Sequence, residues 1–176
     1  MLQHLPIETG ELVIDKFTPS DAEALYAFMN LPEIKEFIPD RLSDLDEARE
    51  ILDWLIGNYD KESSETVRIT LPIRHRDGDL VGWVSYGPLP YDETLKELAY
   101  AIAPKYWNRG YATLAGRAFL DWLRANITSE TIFGEVDAAN WKSIKVVEKL
   151  NFAKIKQDEV RRDDSAKTVC IYKWNG

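Results

Sequence analysis

Cysteine, histidine and positive charge are scarce in this chain. Cys170 is the only cysteine in 176 residues. An intrachain disulfide framework is therefore excluded, and the composition fits a reducing cytoplasm. Cys170 lies in an apolar stretch, which reads as a packed thiol rather than a nucleophile. The two histidines, His4 and His75, stand alone without metal-ligand spacing, so no metal site is expected. Lys and Arg number 22 against 30 Asp and Glu, a formal charge of −8 with a pI near 4.9. That argues against nucleic acid or an anionic membrane as partner and is compatible with a cationic one. No apolar run reaches membrane-spanning length, and Met1 to His4 has no basic leader region. Neither Gly-x4-Gly-Lys-Ser/Thr nor Gly-x-Gly-x-x-Gly occurs, which removes two common phosphate-binding signatures. Repeats, low-complexity segments and linkers are also missing.

One domain over residues 1–176, with room for a real core, is the expectation from this length. Its central stretch is Glu97 to Leu120, which begins as an apolar strand and ends as an apolar helix. Between them lies Asn108-Arg109-Gly110-Tyr111-Ala112-Thr113. A sharp strand-to-helix turn leaves the first helical N–H groups without intrahelical partners. With the positive end of the helix dipole, these groups suit a phosphate. Gly110, lacking a Cβ, permits close approach of a ligand.

The remaining elements follow from period and punctuation. Glu11–Phe17 alternates as a strand. Thr18-Pro19-Ser20-Asp21 starts a helix carrying Ala22, Leu25, Tyr26, Phe28 and Met29. A short helix begins at Leu31-Pro32-Glu33. A longer one spans Ser43–Tyr59, with Ser43 as cap, Asp46 three residues on, and Leu45, Ala48, Ile51, Leu52 and Leu55 at helical spacing. Thr66–Ile73 and Asp79–Tyr86 read as strands joined through Asp77-Gly78. Thr94–Ala103 is the next strand, Gly110–Ala125 the long helix, Thr131–Asp137 a strand and Asn140–Leu150 a helix. Phe152–Arg161 and Lys167–Trp174 form a hairpin across Asp163-Asp164-Ser165. The order predicts a mixed α/β fold.

Two motifs carry a resemblance. Tyr106 to Ala112, read Tyr-Trp-Asn-Arg-Gly-Tyr-Ala, resembles the acyl-CoA loop of the GNAT N-acetyltransferases in its RimJ/RimL-like form, Tyr-Trp-x-Lys/Arg-Gly-Tyr-Ala. Thirty residues after Gly110, Asn140 opens a stretch similar to the family string Asn-x-x-Ser/Ala-x-x-x-x-Glu-Lys-x-Gly-Phe. Asn140, Ser143, Glu148, Lys149 and Phe152 match it. Asn151 replaces the usual Gly, and both tolerate a left-handed helix end. Val147 stands where many relatives carry a Tyr acid. The resemblance covers nearly the whole chain, densely from Glu97 to Phe152.

What the resemblance implies is specific. The fold would be a GNAT-type α/β (α+β) domain. Its central sheet would be mixed, mostly antiparallel and strongly twisted. That sheet would be splayed between its fourth and fifth strands, Thr94–Ala103 and Thr131–Asp137, and flanked by helices. The activity would be transfer of acetyl from acetyl-CoA to a primary amine, a protein N-terminus or a small molecule, by direct attack. Backbone groups of Tyr100, Ala101 and Ile102 would bond the pantetheine arm. Asn108, Arg109, Gly110, Tyr111, Ala112 and Thr113 would hold the phosphates, and Asn140 would anchor a pantetheine amide. Ser143 would protonate the leaving sulfur. A general base is needed to free the amine lone pair. Glu97, thirteen residues before Gly110, and Glu135 on the neighbouring strand are the candidates. Asp40-Arg41, Asp44 and Asp46-Glu47 fall where the acceptor enters this fold, although a solvated face explains them as well. Trp54, Trp83, Trp107 and Trp122 read as core or pocket wall. Two classes stay open: an acetyl-CoA-dependent enzyme, and a noncatalytic acyl-CoA-binding sensor or interaction module. A homodimer is also open, dimers being common in the family.

Overall fold

The computed structural model describes the chain except for residues 1, 39–41, 62–67, 90–91, 128–129 and 163–164. The expectations for Asp40-Arg41, for Thr66 and for the turn at Asp163-Asp164 therefore lie outside the described residues.

An eight-stranded sheet organises the molecule, in the order β1-β2-β3-β4-β5-β6-β8-β7. Its strands are β1 (Ile7–Thr9), β2 (Leu12–Ile14), β3 (Ile69–His75), β4 (Leu80–Leu89), β5 (Asp92–Ile102), β6 (Ile132–Asp137), β7 (Phe152–Arg162) and β8 (Ser165–Trp174). Neighbours are antiparallel except β5 and β6, which run parallel. The expected strand Glu11–Phe17 is shorter, Leu12–Ile14, and Gly10, at φ 57°, turns the chain into it from a preceding strand that the sequence did not announce, β1. The splayed pair thus becomes the fifth and sixth strands. Asp77-Gly78 turns as expected, with Gly78 at φ 99° and its N–H bonded to the His75 carbonyl at 2.8 Å.

Among the described residues, five α-helices flank the sheet: α1 (Ala22–Met29), α2 (Pro32–Lys35), α3 (Leu45–Asn58), α4 (Tyr111–Asn126) and α5 (Trp141–Lys149). At the entrance to α1, the Thr18 N–H and hydroxyl donate to the Asp21 carboxylate at 2.7 and 3.1 Å. Arg74 of β3 pairs with the other Asp21 oxygen, so the start of α1 is tied to the sheet. Asp44, not Ser43, caps α3. Its extended backbone lets the carboxylate accept the Glu47 N–H at 2.9 Å, and Glu47 in turn accepts from the Ser43 N–H and hydroxyl. Along α3, Ala48, Leu52 and Leu55 recur at helical spacing and are buried. The core continues through Leu12, Ile14, Leu71, Ile73, Val81 and Val84 of the sheet, and Phe119, Leu120 and Leu123 of α4.

One contact in the sheet admits only glycine. A Cβ on Gly82 would lie 1.9 Å from the Ala101 carbonyl oxygen of the neighbouring strand. Gly82 lets β4 close tightly on the segment of β5 that leads to the loop after it.

Candidate functional site

β5 and β6 share only two paired positions, Lys96 with Ile132 and Glu97 with Phe133. Beyond Glu97 the strands part, while β5 keeps its ladder to β4 as far as Ile102 opposite Gly82. Unpaired N–H and C=O groups on a strand edge are a template for an added extended chain. Tyr100, Ala101 and Ile102 occupy this edge.

A cavity of about 1020 Å³ opens at the mouth of the split. The candidates Glu97, Glu135, Asn140, Ser143 and Tyr100 all line it, so residues far apart in sequence meet in one place. Asn108 to Thr113 do not line it; they lie past the C-terminal end of β5.

At that end, Trp107 Nε1–H donates to the Ile102 carbonyl at 2.6 Å and folds the chain back. Asn108 and Gly110 take left-handed φ values of 63° and 78°. The first bonded N–H is that of Leu114, to Gly110 O at 2.9 Å, so those of Tyr111, Ala112 and Thr113 have no partner within the helix. A Cβ on Gly110 would meet nothing within 4 Å, so the space in front is open. These donors, the dipole and the adjacent Arg109 suit an anion. The loop is braced from behind. Lys105 Nζ and Tyr106 OH both bond Asp79, and Tyr111 OH bonds Glu11 at 2.7 Å. The bonds from Lys105 and then Tyr106 hold the Asp79 carboxyl below its usual range.

On the facing wall, Asn140 caps α5, its Oδ1 accepting the Ser143 N–H at 3.0 Å. That fixes Ser143 in the first turn. The Tyr100 hydroxyl reaches across the split to Ser143, 2.8 Å from Oγ and 3.2 Å from its carbonyl. Burial pushes the Tyr100 phenol well above its ordinary range, with the bond to Ser143 acting the other way. Tyr100 is therefore a neutral hydroxyl at physiological pH. Val147, at the position of the missing Tyr, is 2 % exposed and belongs to the core. Lys142, one residue before Ser143, places its Nζ 4.0 Å from the centre of the Trp107 ring and so links α5 to the loop.

Sequence reading missed the setting of Glu97. The Arg68 guanidinium lies 3.6 Å from Glu97 Oε1 and donates to Ser85 Oγ at 3.2 Å and the Pro88 carbonyl at 2.6 Å. Ser85 also bonds Thr70 at 2.9 Å. Gly87 opposes Glu97 in the ladder, and a Cβ there would sit 3.0 Å from the Arg68 stem. Gly87 vacates the row, and Arg68 lies across it to reach Glu97. A lone Arg before a strand and a Gly within one gave no signal, because their partnership exists only in the register. Lys167 of β8, 3.5 Å from Asp137, was missed for the same reason. Of the acidic cluster near α3, Glu47 lines the cavity, Asp44 is the helix cap, and Asp46 pairs with Arg49.

No group of three metal-ligating side chains occurs among the described residues, and no helix among them is long and apolar enough to cross a membrane.

Comparison with known proteins places the chain in a family. Residues 11–153 match the family described as acetyltransferase (GNAT) domain. A relative named uncharacterized N-acetyltransferase p20, from Bacillus licheniformis, is 22% identical over 147 residues, covering 83% of this chain and 81% of its own. The crystal structure of ribosomal-protein-S5-alanine acetyltransferase from Vibrio fischeri superimposes with a TM-score of 0.82 at 16% identity, over 97% of this chain and 96% of that one. The spermidine N-acetyltransferase from Vibrio cholerae, in complex with CoA and spermine, superimposes with a TM-score of 0.76 at 17% identity, over 93% and 94%.

Proposed function

Because the chain belongs to the GNAT acetyltransferases and is an acyltransferase by family, we propose that it transfers acetyl from acetyl-CoA to a primary amine, the whole chain 1–176 acting as one domain in the cytoplasm. The observation that carries this reading is the split between β5 and β6, with a built anion cradle at one end and buried Glu97 at the other. The fold shared with a ribosomal-protein acetyltransferase accords with the RimJ/RimL-like motifs.

Acetyl-CoA supplies an activated acyl thioester. Toward it, the N–H groups of Arg109 to Thr113 bind phosphate oxygens, and Arg109 adds charge. The edge of β5 at Tyr100, Ala101 and Ile102, where the Ile102 carbonyl already holds Trp107, bonds the pantetheine arm, with the Asn140 amide on the opposite wall. A β5 N–H in the split receives the negative charge that develops on the carbonyl oxygen. Glu97, or Glu135 across the pairing, takes the proton from the ammonium form of the acceptor, directly or through water. The nitrogen then bonds the acetyl carbon and the carbon–sulfur bond breaks. Ser143 gives a proton to the departing sulfur and is restored by the second proton that the new amide nitrogen sheds, while the Tyr100 hydroxyl holds it in place. Alignment of the two reactants supplies much of the rate by itself.

Thermal unfolding with saturating acetyl-CoA, ATP or NAD tests the donor. At about a hundred times its dissociation constant, a ligand that binds only the folded state adds roughly 2.7 kcal/mol. A rise in Tm with acetyl-CoA alone is expected, followed by thiol release on adding amines. No rise with acetyl-CoA would remove the reading.

A further inference from the structure

The wall of the cavity opposite the sheet has a chemistry that the transfer of acetyl does not require. Among the described residues, the charged side chains of the cavity, apart from Glu47, belong to the sheet side: Arg68, Glu97, Glu135, Asp137 and Lys167. Two of these carboxylates face cations, Glu97 with Arg68 and Asp137 with Lys167. The helix side is apolar and comes from α1, α3 and the segment after α2, including Leu25, Met29, Phe37 and Ile38. Glu47 is committed elsewhere, since its carboxylate accepts both Ser43 donors that close the start of α3.

α3 presents two apolar rows. Ala48, Leu52 and Leu55 form the row packed in the core. The second row, Ile51 and Trp54, lines the cavity but stays open to water, at 37% and 47% exposure. Three residues apart on a helix, these side chains are neighbours and form one surface. A half-exposed Trp at a cavity mouth leaves apolar area that an apolar occupant would remove from water.

We infer that the acceptor is a primary monoamine with an aryl or alkyl body, its nitrogen directed to Glu97 and its body lying on Trp54 and Ile51. The cavity offers one acidic end and one apolar end, which matches a molecule with one charge and one apolar part. A polyamine would set its second ammonium against Leu25, Met29 or Ile51, where the one carboxylate among the described residues of that wall, Glu47, already accepts both Ser43 donors. A peptide N-terminus would bring backbone amides against Leu25, Met29, Phe37 and Ile38, whose side chains have no donors or acceptors to satisfy them. This inference rests on the N-acetyltransferase reading and narrows its acceptor.

The test is a panel of 2-phenylethylamine, hexylamine, spermidine and an alanine-terminated hexapeptide, with acetyl-CoA and thiol release as readout. The two apolar monoamines should exceed spermidine and the peptide in kcat/KM by about tenfold or more. Trp54→Ala, at a half-exposed position, should raise KM for 2-phenylethylamine roughly tenfold with kcat nearly unchanged. Ile51→Glu, which adds a carboxylate to the apolar wall, should shift the preference toward spermidine. Preference of the unaltered protein for spermidine or the peptide would overturn the inference while leaving the N-acetyltransferase standing. Unchanged KM in Trp54→Ala would overturn it too. Thiol release with no amine at all, despite a Tm rise with acetyl-CoA, would overturn the enzyme reading and the inference with it.

Discussion

The Tyr100 hydroxyl lies 2.8 Å from Ser143 Oγ, a side-chain bond thrown across the split from β5 to α5. Burial keeps the phenol protonated, so this pair is a chain of two neutral hydroxyls rather than an ion pair. If Ser143 protonates the leaving sulfur, Ser143→Ala should lower kcat by roughly 10- to 100-fold with little change in acetyl-CoA affinity. Tyr100→Phe should lower it less. The double variant should match Ser143→Ala alone, because groups acting as a unit are not additive. Additive losses in steady-state kinetics would show that the two act separately.

Glu97 and Glu135 compete for one role, and their settings differ. Glu97 is 9% exposed and has Arg68 beside it, supported by Ser85 and the Pro88 carbonyl. Such bracing holds the Glu97 carboxylate in one position, and the proposed transfer takes Glu97 as its first candidate base. Glu97→Gln is expected to cut kcat by about 100-fold while leaving the Tm rise with acetyl-CoA intact. Glu135→Gln should cost much less. The reverse order of losses would transfer the role to Glu135. Equal activity in both would mean that water or the acceptor itself disposes of the proton.

Gly110 offers a test of the cradle that spares the catalytic residues. At φ 78° with open space around it, Gly110→Ala meets backbone strain but no clash. Stability should fall by about 1 kcal/mol. The larger effect should be on the ligand, since the substitution strains the turn whose N–H groups form the proposed cradle. The Tm rise with acetyl-CoA should shrink markedly. An undiminished rise would place the anion elsewhere.

Tyr59 gives the fold a pH limit on the alkaline side. Its hydroxyl donates to the Thr70 carbonyl at 2.7 Å and accepts the Phe17 N–H at 3.1 Å. Burial, above all, raises its pKa to about 12 from 10.0. The unfolded chain thus loses this proton first as pH rises. The contribution of Tyr59 is fully present below pH 10 and is lost as pH climbs from about 10 to about 12. Two pKa units correspond to about 3 kcal/mol. Tyr59→Phe should cost about 1–3 kcal/mol at neutral pH, because two buried backbone groups lose their partner. Chemical denaturation of both proteins from pH 9 to 12 should show the gap between them closing.

The fold was largely legible because its signals are local. The Asp77-Gly78 turn, the paired motifs around Gly110 and Asn140, and the helical spacing of Ala48, Leu52 and Leu55 each act over a few residues. Errors fell where two local solutions compete. Ser43 and Asp44 both suit an N-cap, and only the extended backbone of Asp44 decides. Of the candidate site, the residues on one strand or helix were named from the sequence, and the bonds joining separate strands were not. Arg68 and Glu97 are 29 residues apart. Their meeting over Gly87 depends on the register of β3, β4 and β5, which no single stretch encodes. Tyr100 was read for its backbone, and its side chain proved to hold Ser143.

The two-position pairing of β5 with β6 also bears on how the molecule comes apart. The sheet is divided into a block of β1 to β5 and a block of β6, β8 and β7, joined along the sheet only at Lys96–Ile132 and Glu97–Phe133. A chain of ligand laid along the open edge would bond to both blocks and act as a ninth strand. Empty, the protein should exchange amide hydrogens in β6 and β8 at a lower free energy than in β3 and β4. Occupied, the two blocks should open as one unit, and exchange in all four strands should converge on the same free energy.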